Sequence, residues 1–226
     1  MTNVLAHRGA HQNERENTIG AFSAAVALGV DGVELDVRRT LDGVLVVHHD
    51  PSVGGNVIAR SESEVLPEYV PTLEASLEAL GSVSVNLEIK NLEHQSEPTY
   101  DPTGDFARQV VSTLHRLGRS DDVMISSFDL STCAVVRSFD HTLQVAWLLW
   151  DRDLTGAMVQ AHILGLNAVN PHFSLVGAAT VDEARALSLD VNVWTVNQES
   201  DLQRMASCGV ASVITDEPAL ALRLLR

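Results

Sequence analysis

Acidic and basic side chains interrupt several apolar runs of the sequence, and their types could support metal binding and proton transfer. Glu34 and Asp36 alternate with valine and leucine in "GVELDV", and Glu88 and Lys90 are two residues apart in "VNLEIK". Successive side chains of a strand point to opposite faces, so we expect each of these pairs to share a face of its strand.

Three carboxylates inside a fold would repel one another, and a divalent cation removes that conflict. Oxygen ligands of this kind suit Mg²⁺ or Ca²⁺, and no cysteine or histidine cluster has the spacing of a zinc site. The sequence therefore predicts a metal held by Glu34, Asp36 and Glu88. Simpler interpretations remain open, since acids also alternate on solvent-facing strands and Lys90 could form a structural salt bridge with Glu88 or a neighbour.

Two histidines could join this site. His7 and Arg8 follow the first apolar run in "AHRG", where arginine offers a fork of donors to a phosphate and Gly9 allows close approach of the backbone. His48 and His49 should point to opposite faces, and we favour His49, because the adjacent Asp50 could orient its ring. We assign no role to the other histidines, His11 and His94 among them.

A base, an acid, a cation and positive charge are what the cleavage of a phosphodiester requires. The chain lacks the G-x-S-x-G, P-loop and G-x-G-x-x-G motifs, which argues against serine hydrolases, P-loop NTPases and dinucleotide-binding enzymes. The sequence therefore favours a phosphodiesterase.

Composition limits the partners and the compartment. The 226 residues, 45% of them hydrophobic, can form one folded domain over 1–226, and a net charge of −15 argues against nucleic acid as a partner. No apolar run approaches the ~20 residues of a membrane-spanning helix, so we expect no stable membrane insertion and a small-molecule substrate. Two cysteines far apart in sequence favour a cytoplasmic protein, and the oligomeric state is left open.

Short β-branched runs alternate with segments of helical periodicity, which predicts an α/β fold with parallel strands. Nine candidate strands, from "VLAH" to "SVITD", are one more than an eight-stranded barrel needs. Because Asp42-Gly43 is a turn signal with no helix beside it, we assign the surplus to a short β-excursion near residues 37–50 on a (β/α)8 TIM barrel. The segments 50–71 and 91–104 are expected to be loops on the catalytic face, and an open doubly wound sheet is the competing architecture.

The ordered segments "AHRG", "ENTIGAF", "GVDGVELDVRRTLDGVLVVHHD", "PTLEASLEAL", "VNLEIK" and "VWTVN…GVASVITDEP" resemble the glycerophosphodiester phosphodiesterase family. The resemblance extends from residue 6 to residue 218. It implies a TIM barrel of the phospholipase C-like phosphodiesterase type that hydrolyses glycerophosphodiesters, such as glycerophosphocholine or glycerophosphoethanolamine, to glycerol 3-phosphate and an alcohol with Ca²⁺ or Mg²⁺.

The resemblance also implies a role for individual residues. It makes His7 and His49 the catalytic acid/base pair, Arg8 and Lys90 the phosphate contacts, and Trp194 an aromatic wall of the substrate pocket. The metal ligands it implies are Glu34, Asp36 and Glu88, and Glu16 and Asn17 belong to a segment that supports the site. Asp50, as the neighbour of His49, is the third supporting residue that we predict.

The chain departs from the family pattern at Arg15, where proline is usual, and in the segment after Asp50, where the usual basic residues are blurred. These departures concern the residues that would bind the leaving alcohol. An enzyme acting on a lipid head group, like lysophospholipase D or sphingomyelinase D, is therefore the alternative, and a non-catalytic phosphodiester-binding barrel is a remote one.

Overall fold

The computed structural model describes residues 1–92, 100–150 and 153–226. Residues 93–99 of the loop predicted at 91–104, His94 among them, therefore lie outside the described residues. The strands are β1 Asn3–His7, β2 Gly32–Arg39, β3 Leu45–Val47, β4 Ser52–Val53, β5 Asn56–Val57, β6 Ser84–Ile89, β7 Val123–Ser127, β8 Gln144–Leu149, β9 Ala168–Pro171, β10 Asp190–Val193 and β11 Ser212–Thr215.

Helices follow the barrel strands in turn. They are α1 Ile19–Leu28, α2 Leu73–Leu80, α3 Asp105–Leu117, α4 Leu130–Phe139, α5 Leu154–Ile163, α6 Ala178–Ala186, α7 Glu199–Cys208 and α8 Pro218–Leu225, with short 3-10 turns at Ile58–Arg60, Ser63–Val65 and Phe173–Leu175. Local sequence explains their ends: the Thr18 hydroxyl accepts a hydrogen bond from the N–H of Ala21 at the start of α1, and Gly29 ends that helix with φ 72°.

The parallel strands close into a ring. Their order is β1, β11, β10, β9, β8, β7, β6, β2, and β1 also pairs with β2, so the sheet has no free parallel edge. The predicted (β/α)8 barrel is thereby confirmed, and the open doubly wound sheet is wrong for this chain. The carboxyl ends of all eight strands meet at one rim, where barrel enzymes carry their sites.

The surplus strand is the predicted excursion. β3 pairs antiparallel with the end of β2, with Val37 opposite Val47 and Arg39 opposite Leu45, outside the parallel ring. Gly43 makes the turn between them with φ 82°. A second small hairpin, β4 with β5, follows in the segment that the sequence identified only as a loop.

The apolar core lies on the outer side of the ring. Val33, Leu35 and Val37 of β2 are fully buried and belong to one cluster with Phe22 of α1 and Leu77 of α2. Strand alternation then turns the side chains between them toward the barrel interior. Among the described residues, no helix combines the length and apolar content that crossing a bilayer requires.

Gly9 should be the least replaceable glycine near the rim. Its φ is +86°, and an added Cβ would lie 2.8 Å from the backbone carbon of Ala21. We expect Gly9→Ala to lower the free energy of unfolding by about 3 kcal/mol, combining left-handed strain with overpacking. Chemical denaturation measures this loss.

The matched control is Gly43→Ala, because Gly43 has φ +82° but open space around it. Strain alone should then cost about 1 kcal/mol. Equal losses in the two variants would contradict the contact with α1.

Candidate active site

Strand register brings the three predicted acids together at the carboxyl rim. Glu34 of β2 lies opposite His7 of β1, and Asp36 of β2 lies opposite Glu88 of β6. One carboxylate oxygen from each acid lies within 4.8 Å of the others, and the three residues are 3%, 1% and 7% exposed. The acids therefore form one buried cluster rather than a solvated strand face.

Neighbouring donors hold two of these carboxylates in place. The side-chain amide of Asn17 donates to Asp36 Oδ2 at 2.7 Å, and the backbone N–H of Arg8 donates to Glu34 Oε2 at 3.0 Å. Both Arg8 and Asn17 have left-handed backbones, with φ 56° and 54°, so the loop after β1 is shaped to present these donors. The Glu16-Asn17 segment, to which the family resemblance gives a supporting role, thus contacts the acid cluster and Arg8.

Two cations lie against the acids. Arg8 Nε is 3.3 Å from Asp36 Oδ2, while its Nη1 contacts Glu16 Oε1 at 2.9 Å. Lys90 Nζ is 3.0 Å from Asp36 Oδ1 and 2.7 Å from Glu88 Oε1. The salt bridge considered for Lys90 from sequence is therefore present.

The charges of this cluster do not balance. Burial raises the pKa of Glu34 well above its usual range, and repulsion from Asp36 and Glu88 adds to the effect. Burial also raises the pKa of Glu88, although Lys90 opposes this. Burial acts on Asp36 in the same direction, but the attraction of Lys90 and Arg8 outweighs it and lowers the pKa of Asp36. One proton or one further cation is needed to remove the excess negative charge.

The donor set fits a divalent cation. It consists of carboxylate oxygens alone, drawn from three residues on two adjacent strands, and such hard ligands suit Mg²⁺ or Ca²⁺. The Lys90 ammonium already bridges Asp36 and Glu88, which shows that the cluster accommodates positive charge. An all-oxygen metal site is therefore compatible with the residues present.

His7 lies between this cluster and the last barrel strand. Its Nε2 is 3.9 Å from Glu34 Oε2, and its Nδ1 is 2.6 Å from Asp216 Oδ1. Asp216 also contacts His11 Nε2 at 3.1 Å, and hydrogen bonds from His11 and His7 lower the pKa of Asp216 in spite of burial. The sequence reasoning missed Asp216 and gave His11 no role.

His49 comes from the excursion. Its Nδ1 is 2.8 Å from Asp50 Oδ1, and Arg38 Nε donates to its backbone carbonyl at 2.9 Å. Burial, and then the charge of Lys90, lowers the pKa of His49. His48 instead uses its backbone N–H to donate to the carbonyl of Asp36 at 2.9 Å.

A cavity of about 650 Å³ joins these groups, and its two sides differ in chemistry. The charged side is lined by His7, Arg8, Glu34, Arg38, His49, Asp50, Glu88 and Lys90, and the aromatic and apolar side by Leu92, Phe128, Leu148, Trp150, Trp194 and Ile214. His48 is not among the described residues that line it. Asp36 lies beneath the surface and reaches the cavity through its ion pairs.

Trp194 stands at the centre of the aromatic side. Its Nε1 donates to the carbonyl of Asn170 at 2.7 Å, and its ring centroid lies 5.4 Å from Phe128 and 5.1 Å from Trp150. His172 packs against the same ring at 5.4 Å. The aromatic side thus includes Trp194, the residue for which the family resemblance implied such a position, together with residues that the sequence did not indicate.

One rule could have identified Asp216 from sequence, together with Asn197, whose side-chain amide donates to Asp216 Oδ2 at 2.6 Å. Each follows a barrel strand by one to four residues, as Lys90 follows β6, so each belongs to the catalytic rim. The aromatic residues Phe128 and Trp150 obey the same rule. Their position in the sequence identifies the rim but not which of them face one another.

Comparisons with known proteins find a family model and relatives that match most of the chain. A family model described as the glycerophosphoryl diester phosphodiesterase family matches residues 7–57 and 54–220. A glycerophosphodiester phosphodiesterase of Caldanaerobacter subterraneus subsp. tengcongensis is 30% identical over 100% of this chain and 98% of its own length.

Solved structures are similar in fold. The crystal structure of a glycerophosphodiester phosphodiesterase from Parabacteroides distasonis has a TM-score of 0.86 at 25% identity, covering 99% of this chain and 96% of that one. An Oleispira antarctica phosphodiesterase, solved in complex with the product sn-glycerol-3-phosphate, has a TM-score of 0.89 at 20% identity, covering 100% and 97%.

Binding of Mg²⁺ or Ca²⁺ should release a proton, because Glu34 must ionise to serve as a ligand while its pKa lies above the usual range. Affinity should therefore fall as the pH is lowered, by at most about tenfold per pH unit for one proton. Isothermal titration calorimetry in buffers of different ionisation enthalpy measures both the affinity and the released proton.

Glu34→Gln should weaken binding by about tenfold or more and remove most of the pH dependence. Glu16→Gln is the matched control. It also replaces a carboxylate that contacts Arg8 by a neutral amide, but Glu16 is not a predicted metal ligand. Its effect should stay below about fivefold. Binding that is independent of pH in the unsubstituted protein would contradict the expectation.

Proposed function

The chain belongs to the glycerophosphoryl diester phosphodiesterase family, and from this membership we propose that it hydrolyses glycerophosphodiesters to glycerol 3-phosphate and an alcohol. As a member of that family it is an enzyme of the phosphoric diester hydrolase class. The observation that carries the proposal is the cavity that His7, His49, Arg8 and Lys90 share with Glu34 and Glu88, two of the three acids of the buried cluster.

The proposed roles follow from charge and reach. Arg8 and Lys90 neutralise the phosphate oxygens, and each is already fixed by ion pairs, so little side-chain entropy is lost when an anion binds. His7 and His49 exchange protons with the attacking and leaving oxygens. Both line the cavity, and each has a carboxylate on Nδ1 that leaves Nε2 for the substrate.

Glu34, Asp36 and Glu88 are the proposed ligands of Mg²⁺ or Ca²⁺. When bound, the cation supplies Lewis-acid polarisation of the phosphate. Asn17 holds Asp36 and the Arg8 backbone holds Glu34, so these oxygens are oriented before the cation arrives. Glu16 does the same for the Arg8 side chain, as Asp50 does for His49.

The leaving alcohol is proposed to lie on the aromatic side. Trp150, Trp194 and Phe128 offer ring faces and edges there, and Trp150 is 59% exposed. Aromatic faces attract a quaternary ammonium such as choline, and they also accept apolar chains. Glycerophosphocholine is therefore a reasonable substrate, and a lysophospholipid is the second candidate that this apolar side favours.

Other expectations from the sequence stay as proposals. We retain one catalytic domain over residues 1–226 and a small-molecule substrate. Cys133 and Cys208 are both unpaired, which is consistent with the predicted cytoplasmic location.

Substitution of either histidine tests the proposed activity. His7→Ala and His49→Ala should each lower the turnover of glycerophosphocholine by ~10²-fold or more. His48→Ala is the matched control because the His48 side chain is not among the described cavity-lining groups, and its activity should remain within about threefold.

Choline release gives the rate, and circular dichroism verifies folding. EDTA should abolish the release, with recovery on addition of Mg²⁺ or Ca²⁺. Normal turnover in either alanine variant, or full activity in EDTA, would contradict the proposal.

Replacing the aromatic wall separates the two substrate classes. Trp194→Ala should raise KM for glycerophosphocholine by about tenfold, because a stacked group loses its contact, and Trp194→Phe should recover most of the affinity. Parallel assays with lysophosphatidylcholine complete the test. A kcat/KM for the lysolipid above that for glycerophosphocholine would favour the lipid alternative instead.

A further inference from the structure

The structure assigns Asp216 as a positioning residue that holds the proton of His7 on Nδ1 and presents Nε2 to the cavity. This inference rests on the proposed function only for its effect on catalysis. The placement of the proton stands on the hydrogen bonds around Asp216 alone.

The contact between the two residues follows from barrel closure. β1 and β11 are parallel neighbours, with Ala6 opposite Thr215. The residues that follow this pair, His7 and Asp216, therefore lie side by side at the rim. The Nδ1 to Oδ1 distance is 2.6 Å, typical of a strong charge-assisted hydrogen bond. The other ring nitrogen, Nε2, faces Glu34 at 3.9 Å.

Hydrogen bonds that do not involve His7 hold Asp216 in place. The side-chain amide of Asn197 donates to Asp216 Oδ2 at 2.6 Å, and its Oδ1 accepts from the backbone N–H of Asp216 at 2.9 Å. This second bond settles which end of the Asn197 amide faces the carboxylate. Gln12 donates to the backbone carbonyl of Asp216 as well, so the carboxylate has little freedom to turn away.

The direction of the His7 bond is then determined by chemistry. An ionised carboxylate only accepts hydrogen bonds, so Nδ1 of His7 must be the donor. A neutral ring with its proton on Nδ1 has its lone pair on Nε2. In either the acid or the base role, the proton that matters for catalysis therefore moves at Nε2, on the side of the phosphate.

Asp216→Asn is the decisive variant because Asn197 dictates how the new amide lies. Asn197 offers an N–H to the Oδ2 position, so the amide oxygen takes that position and the amide NH₂ replaces Oδ1. An NH₂ group there requires His7 Nδ1 to accept. The proton of His7 should consequently move to Nε2, although the shape of the site is unchanged.

Nitrogen-15 NMR of the histidine rings shows which nitrogen of His7 carries the proton, at a pH where the ring is neutral. The signals of His7 are assigned as those that are absent from the His7→Gln variant. We expect the proton on Nδ1 in the unsubstituted protein and on Nε2 in Asp216→Asn. Turnover of glycerophosphocholine should fall by about 10²-fold or more while KM changes by less than about threefold, since the wrong tautomer affects chemistry rather than binding.

His11→Ala is the matched control. His11 contacts the same oxygen, Asp216 Oδ1, at 3.1 Å, but it does not contact His7 in the described hydrogen bonds. The variant should keep the proton of His7 on Nδ1 and retain turnover within about fivefold. A general loss of local structure around Asp216 would instead affect both variants without exchanging the tautomer.

Asn197→Ser provides a second test of the inference if Asp216→Asn folds poorly. Asn197→Ser removes the amide that holds Oδ2 but keeps the carboxylate, so the tautomer should persist while turnover falls by an intermediate factor. The inference is overturned if the unsubstituted protein has its neutral-ring proton on Nε2, if the tautomer is unchanged in Asp216→Asn, or if that variant keeps its turnover within about threefold. Absence of hydrolysis by the unsubstituted protein would reject the proposed function, and the NMR result would still decide the placement of the proton.

Discussion

Repulsion among Glu34, Asp36 and Glu88 is the constraint on which the rest of the site depends. Each acid is nearly inaccessible to water, and Arg8 and Lys90 offset only two of the three charges. With all three acids ionised, the cluster without a metal would carry one negative charge in excess, and a proton on Glu34 removes it. A divalent cation that displaces this proton would leave one positive charge, which gives a strongly acidic protein a local means of attracting an anionic phosphodiester.

The barrel places its charged groups on one side of the rim and its aromatic groups on the other. Strands β1, β2, β6 and β11 end in charged groups, whereas β7, β8 and β10 are followed by aromatic rings. Beneath the rim, three amides and a hydroxyl form a hydrogen-bonded chain across the interior: Asn86 donates to Ser126, Asn170 to Asn86, and Asn192 to Asn170. A floor of paired amides keeps the site polar without adding charge to it.

The strand pattern, the closed barrel and the acid cluster could be predicted because each follows from short-range periodicity and register. Strand alternation predicted opposite faces for His48 and His49, yet β3 ends at Val47, before either histidine, so alternation does not orient them. The choice of His49 rested on Asp50, and the structure does place Asp50 Oδ1 2.8 Å from its Nδ1. A hydrogen bond from Arg38 Nε to the backbone carbonyl of His49 also helps to position His49. Asp216 was missed because its contact with His7 spans 209 residues, and periodicity within a strand carries no information on such a partner.

The same contact determines the order in which the site can be assembled. The three acids lie on the neighbouring strands β2 and β6, but His7 meets Asp216 only after β11 has joined β1 and completed the ring. A chain still emerging from the ribosome would hold the acids long before it could orient this histidine. Enzymatic activity would then report on closure of the ring by β11, rather than on pairing of β2 with β6 alone.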